Sequence, residues 1–299
     1  MLTIFSIPKR FTGHIAVIQR NAIRSWRRAD PACEIILFGD ETGTRETATE
    51  FQTGFVPDVA CSEYGTPLLD SVFQRAARMA RYPLLCYVNC DIIFLSDLTQ
   101  AVARIPFRNF LAVGRRWDLG MESEMDLGKP EWEQDLRRLT REKGVLHPAT
   151  GIDYFVFPRE SDLAGMPPFA VGRPGWDNWF IYNARIRRVP VVNLTLATTV
   201  IHQNHDYDHV PKREGQAYEG PEAQMNLNLV GGWERVFSLL DATHIMTPTR
   251  LAPALGLQYL RRRWQTLPIL HPALRRCLNL LRTVKKLFSR SAPRAGRDS

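Results

Sequence analysis

The chain has little of what would fix a function at a glance. Its five cysteines, at positions 33, 61, 86, 90 and 277, are odd in number and contain no CxxC pair. That fits reduced thiols and argues against a zinc ribbon. No uninterrupted apolar stretch approaches the roughly 20 residues needed to span a bilayer. Met1 to Phe11 has no basic segment before its short apolar run and no small-residue cleavage site, so no signal peptide is expected and the location read is cytoplasmic. An HExxH motif is missing, as is a second matched His cluster, which weakens any reading as a metal-dependent hydrolase. The segment after the first apolar run, SIPKRFTGH, offers only Gly13 where a glycine-rich phosphate loop would stand. No internal repeat is found.

What remains is ordinary for a folded protein: 299 residues, 44% apolar and 23% charged, enough for one or two domains with a sizeable core. The net charge of +8 is unevenly placed. Residues 250–299 hold twelve Lys and Arg and a single acid, Asp298, which leaves 27 basic and 30 acidic residues in 1–249. The body is therefore slightly acidic, and a nucleic-acid partner is excluded on charge. The basic excess belongs to the tail. There, apolar residues at 274, 277, 278, 281, 284 and 288 keep helical spacing among Arg275, Arg276, Arg282, Lys285, Lys286 and Arg290, a basic amphipathic pattern over 274–290. Such a helix suits an anionic membrane surface, on the inner face of the cytoplasmic membrane, or docks on its own domain.

The first half alternates β-rich runs with helical patterns, the signature of βαβ units and a mostly parallel sheet. Strands are expected over 2–7, 34–38, 55–59, 84–88, 110–114 and 154–157. Helices are expected over 14–28, 45–51, 68–81, 131–143 and 177–188. The segment 189–193 reads as extended, and 201–209 is unusually dense in His, Asn and Asp.

In an open parallel sheet, ligands bind beyond the carboxyl ends of the strands. Three places follow: Asp40 after the second strand, Asn89-Cys90-Asp91 after the central one, and Arg115-Arg116-Trp117-Asp118 after the strand at 110–114. The stretch CYVNCDIIFL drives an apolar strand into Asn and Asp and then resumes apolar. A carboxylate placed there is costly to bury alone. A hard divalent ion, Mg²⁺ or Mn²⁺, is its natural partner; an Asp capping the following turn is the plainer alternative.

CYVNCDIIFL resembles the DxD-bearing strand of GT-A glycosyltransferases, with Asn89 where the first acid stands and Asp91 where the second does. FGDE at 38–41, YGTPLLD at 64–70, VGRRWDL at 113–119, HPATGIDYFVFPR at 147–159, GWDNW at 175–179 and IHQNHDY at 201–207 extend the likeness to a group of bacterial GT-A-like proteins over roughly 1–235. The resemblance implies an α/β, Rossmann-like sheet flanked by helices, with a donor-binding half over 1–118, an acceptor half over 119–235 and a basic helical extension over 236–299. It implies a metal-dependent transfer of a sugar from a nucleotide-sugar donor to the hydroxyl of a glycan or lipid-linked acceptor. The replacement of one acid by Asn89 removes a metal-binding carboxylate.

Residue by residue, the resemblance makes Asp91 the metal ligand and Asp40 a nucleoside contact, against a plain turn-forming role. Asp70 and Asn89 fall on the donor side, although an acid at a helix start also complements the macrodipole. Arg115 or Arg116 suits a phosphate or a sugar hydroxyl, with the other solvated. A further metal ligand is expected from His202 or His205. In a straight strand, alternation puts these on opposite sides, so both reach one ion only if the chain bends. His205 is preferred.

For the base that takes the acceptor proton, Asp177 lies between Trp176 and Trp179, whose flat faces suit sugar rings and whose bulk would raise its pKa. A helix N-cap is the alternative role for Asp177, and Asp153 is the second candidate base. Two rival functions stay open: a sugar nucleotidyltransferase and a non-catalytic nucleotide-sugar-binding protein.

Overall fold

The computed structural model describes residues 1–205, 219–272 and 274. The chain forms two compact units, Met1–Ala254 and Leu255–Ser299.

In chain order the first unit runs β1 (Leu2–Ser6), α1 (Gly13–Ala29), β2 (Glu34–Phe38), α2 (Thr44–Glu50), β3 (Gly54–Val56), α3 (Leu69–Met79) and β4 (Leu84–Val88). It continues with β5 (Ile92–Ile93), α4 (Asp97–Ala103), β6 (Leu111–Val113), β7 (Trp117–Gly120), α5 (Trp132–Lys143), β8 (Val145–Leu146) and β9 (Tyr154–Pro158). It closes with α6 (Trp176–Ile186), β10 (Val191–Asn193), β11 (Ile201–Asn204), α7 (Pro221–Val230), β12 (His244–Met246) and β13 (Leu251–Pro253). The second unit contributes α8 (Leu257–Leu270).

Nine strands form one sheet in the order β13-β12-β10-β6-β9-β4-β1-β2-β3. Only β9 and β13 run antiparallel to their neighbours. This is the mostly parallel, helix-flanked α/β sheet that the resemblance implies. A second sheet, β5-β11-β7-β8, stands beside it.

Alternation along the strands divides the core into two layers. One face carries Phe5, Tyr87, Phe155 and Phe157, which meet Phe73 of α3 and Phe180 of α6 at ring separations of 5.0–5.9 Å where they touch. The other face carries Ile4, Cys86, Val88 and Val156 against Ile23 and Trp26 of α1. Trp26 is fully buried, and its indole N–H donates to the Ile92 carbonyl at 2.8 Å, which satisfies the one polar atom the ring takes inside.

The expected strands and helices are found within a few residues, but several are shorter. β3 stops at Val56 because Pro57 has no N–H for the ladder. The expected boundary at 235 falls before two further strands of the nine-stranded sheet. β12 pairs in parallel with β10, and β13 pairs antiparallel with β12, so residues 244–253 belong to the main sheet. β12 (HIM) and β13 (LAP) stand in no apolar run of the kind that marks β6 and β10, and so are not seen in sequence. Nor are β5 and β8, each of two residues. The basic pattern over 274–290 lies outside the described residues, apart from Leu274.

Candidate functional site

The site begins where β4 ends. Beyond Val88 the chain turns tightly, with the Ile92 N–H donating to the Asn89 carbonyl at 3.1 Å, and then pairs as β5 with β11. The turn leaves the Asp91 side chain 13% exposed. Its Oδ1 is buried without a hydrogen-bond partner among the described residues. Its Oδ2 faces two imidazoles: His205 Nε2 at 3.2 Å and His202 Nε2 at 3.8 Å.

Both histidines therefore reach the same carboxylate, and the bend that a straight strand would forbid is present. β11 ends at Asn204, and His205 lies just past it, free of the alternation. Gln203 locks this arrangement. Fully buried, it donates its backbone N–H to the Asp91 carbonyl at 3.2 Å. Its side-chain amide donates to Ile18 O at 2.7 Å and Asp91 O at 3.1 Å, and its Oε1 accepts from Asn21 at 3.0 Å. The residue pointing away from the histidines thus holds β11 against both the Asp91 turn and α1.

One carboxylate oxygen and two imidazole nitrogens, all within 4.8 Å of one another, form a group able to take a metal ion. Ligands about 2.1 Å from an ion and adjacent on its coordination sphere lie about 3 Å apart, so the two measured separations fit one ion with little movement. Burial opposes charge on Asp91. The hydrogen bond from His205, with His202 and Lys9 nearby, outweighs it and holds the carboxyl well below the usual range. Burial pushes His202 down, which favours the neutral imidazole a metal requires.

Around this group runs a network that sequence reading only partly saw. The register of β7 and β11 sets Asp118 directly beside His202, with Asp118 Oδ1 3.4 Å from His202 Nδ1. Asp118 also accepts from Arg116 Nε at 2.9 Å and faces His147 Nδ1 at 2.6 Å. Burial raises the Asp118 carboxyl, but the bonds from His147 and Arg116 carry it below its ordinary value. Arg116 continues into an ion pair with Asp153. Neither arginine is merely solvated: Arg115 donates to the Leu146 and His147 carbonyls and so braces β8.

Asp153, 7% exposed, has both oxygens engaged: Oδ2 by Arg116, and Oδ1 by the Asn89 side-chain amide at 2.8 Å. Asn89 thus faces Asp153 rather than the three-ligand group, and the amide in place of an acid is what lets the two side chains bond. Asp177 sits in the first turn of α6. Gly175, at φ +94, is the residue before that helix begins, so the N-cap role falls to glycine and not to Asp177. Burial lifts the Asp177 carboxyl to about 7; the charge of Asp153 adds to the shift, while the Asn178 N–H and Arg116 oppose it.

The aromatic pair is a correction. Trp176 is packed among Phe73, Tyr87 and Phe155 at 5.2–6.5 Å, and Trp179 against Phe169 at 5.3 Å. Both are at least nine-tenths buried, so their faces serve the core rather than a sugar ring. Asp40 is exposed at the carboxyl end of β2, the same end of the sheet as Asp91. Asp70 occupies the first turn of α3, with its Oδ1 buried and unpartnered among the described residues. Sequence reading missed His147 and Lys9 and gave Asp118 no role. His147 stood inside a quoted motif, but nothing in its spacing marked it.

No family model matches the chain, and no curated protein matches its sequence. Similar solved structures do exist. Glucosyl-3-phosphoglycerate synthase from Mycobacterium tuberculosis, in complex with Mn²⁺, uridine diphosphate and glucosyl-3-phosphoglycerate, is 15% identical, with 79% of this chain and 80% of that one covered and a TM-score of 0.45. The mannosyltransferase PcManGT from Pyrobaculum calidifontis, with GDP-Man and Mn²⁺, is 12% identical over 76% and 68%, with a TM-score of 0.45. TarS 1-349 from S. aureus, with UDP-GlcNAc, is 11% identical over 71% and 61%, also at 0.45. These similarities are remote, and the reading of the site rests on its own residues.

Proposed function

We propose that this protein is a metal-dependent glycosyltransferase that moves a sugar from a nucleotide-sugar donor to an acceptor hydroxyl, with a glycan or lipid-linked acceptor. The observation that carries the reading is the group Asp91, His202 and His205 at the carboxyl end of the central strand, with one buried carboxylate oxygen still unpartnered. A divalent ion bound there would supply a Lewis acid for the donor's diphosphate. The two imidazoles favour Mn²⁺ over Mg²⁺, which prefers an all-oxygen sphere.

The chain's own residues do the rest. Asp118 Oδ1, 3.4 Å from His202 Nδ1 without a formed hydrogen bond, places negative charge beside that nitrogen and so favours the tautomer that leaves Nε2 free for an ion. Arg116, held between Asp118 and Asp153, brings positive charge to the same end of the sheet. Asp177, with a pKa near 7, is the carboxyl suited to take the acceptor proton, since a base works best when its pKa is close to the working pH. Asp153, with both oxygens bonded, is less suited to that task and serves to hold Arg116 and Asn89. Asp40 and Asp70 remain the donor-side acids of this reading.

The test is a panel of nucleotide sugars incubated with the protein and Mn²⁺, with the released products identified. Release of nucleoside diphosphate supports the proposal. Pyrophosphate would point to a nucleotidyltransferase, and donor binding without release to a non-catalytic binding protein. Calorimetry showing no association with any nucleotide sugar in Mn²⁺ would overturn the site itself.

A further inference from the structure

Helix α8 presents apolar side chains on the side where a water-facing helix carries polar ones. Leu257, Leu260 and Trp264 recur at helical spacing along one stripe and are 83%, 46% and 73% exposed. Tyr259 and Thr266, which lie across the helix from that stripe, are buried at 7% and 2%. The buried face is thus opposite the apolar stripe rather than formed by it, the reverse of the usual amphipathic arrangement. Two leucines and a tryptophan over two turns, about 10 Å of helix, exceed the scattered single apolar residues that need no explanation.

The charge around the stripe says what covers it. α8 contains no acidic residue, and of its three arginines Arg261 is exposed beside the stripe, while Arg262 and Arg263 are half-buried and turned away from it. The segment 250–299 as a whole has twelve basic residues and one acid. Apolar side chains led by Trp and Leu, flanked by Arg261 and free of Asp and Glu, match a helix lying in the headgroup region of an anionic bilayer. An acidic apolar groove on another protein would need the same complementarity, but no feature of the helix selects one. No helix among the described residues is long and apolar enough to cross a membrane, so the contact is with one leaflet.

We infer that the Leu257–Leu260–Trp264 stripe of α8 is a docking surface for an anionic lipid leaflet. It is independent of the sugar-transfer reading, and distinct from the basic pattern over 274–290. The experiment uses the full chain and vesicles of phosphatidylcholine alone or with about a third phosphatidylglycerol. Wild type should sediment with the anionic vesicles and not with the neutral ones. Leu257→Ser combined with Trp264→Ser should weaken that binding about tenfold or more, since insertion free energy scales with buried apolar area. Thermal unfolding checks that the double variant folds, as substitutions at two exposed positions allow.

A second measurement keeps the surface identified. Brominated lipids should quench tryptophan emission in wild type, and Trp264→Phe should lose the quenching while still sedimenting. Equal binding by wild type and the double variant would overturn the inference, as would quenching that persists in Trp264→Phe. So would a wild-type dimer in solution that the double variant converts to monomer, which would make a second copy the occupant.

Discussion

Asp177 carries a charge state that couples stability to activity. Its carboxyl is raised in the folded chain to about 7, chiefly by burial, whereas an unfolded Asp titrates near 4. Between those values the folded protein binds the extra proton, so the contribution of this group to stability falls as pH rises from about 4 to about 7. In the proposed role of base it must be ionised, so turnover should rise across the same upper range. Asp177→Asn should lower turnover by about 10²–10⁴-fold and remove the limb near 7 from the pH profile. The same variant should gain thermal stability over wild type at pH 8 and little or none at pH 5. A limb that survives the substitution would assign the base elsewhere. Asp91→Ala makes the sharper prediction: calorimetry should show Mn²⁺ binding lost and turnover abolished, because the two imidazoles alone supply no negative charge to the ion. In wild type, Mn²⁺ should restore more turnover than Mg²⁺ to chelated protein.

At the scale of elements, the site depends on how β11 is seated. Gln203 satisfies Ile18 O, Asp91 O and Asn21 Nδ2 within a fully buried environment. Gln203→Ala removes every one of those side-chain bonds, at about 0.5–1.5 kcal/mol each, although Asp91 O keeps the residue's backbone N–H and Asn21 keeps Ser123 O. Urea unfolding should show a loss of about 2–4 kcal/mol, and Mn²⁺ affinity should fall although Gln203 touches no ion; unchanged affinity would show that β11 needs no such lock. Elements of this kind decide what was legible in the sequence. The long strands β1, β2, β4 and β9 and the helices α1, α3 and α6 announce themselves by apolar period, and CYVNCDIIFL marks Asp91 because a polar residue interrupts a buried run. The union of Asp118, His202 and His147 could not be read, since it is created by the pairing of β7 with β11 and β8, strands of two to four residues whose register is set by tertiary contact. The Trp pair misled for a related reason: tryptophan beside an acid signals a sugar platform only when the ring is exposed, and sequence does not report which face of α6 meets the aromatic layer.

The whole molecule sets where the unit that holds the site stops. A boundary at 235 follows from the loss of motif likeness, but residues 236–254 add β12 and β13 to the sheet and bring Met246 and Ala254 to full burial. Thr243 ties that segment back, its N–H donating to Val191 O at 2.8 Å and its Oγ1 to the same oxygen at 2.9 Å. A chain ending at 235 would leave β10 as an open edge with unpaired backbone groups and an uncovered apolar margin, the condition under which strands associate between molecules. A chain ending at 254 keeps that edge covered by the antiparallel β12–β13 pair. The expected outcome is that the 1–254 chain unfolds cooperatively in urea and binds Mn²⁺ as the full chain does. The 1–235 chain should aggregate or unfold at markedly lower denaturant. Since 1–254 sheds nearly all of the basic excess and α8 with it, it should also fail to sediment with anionic vesicles. Retained nucleotide-sugar binding by 1–254 would then separate the chemistry of the sheet from the attachment of the tail, whereas loss of both would mean that α8 belongs to the folding unit of the site.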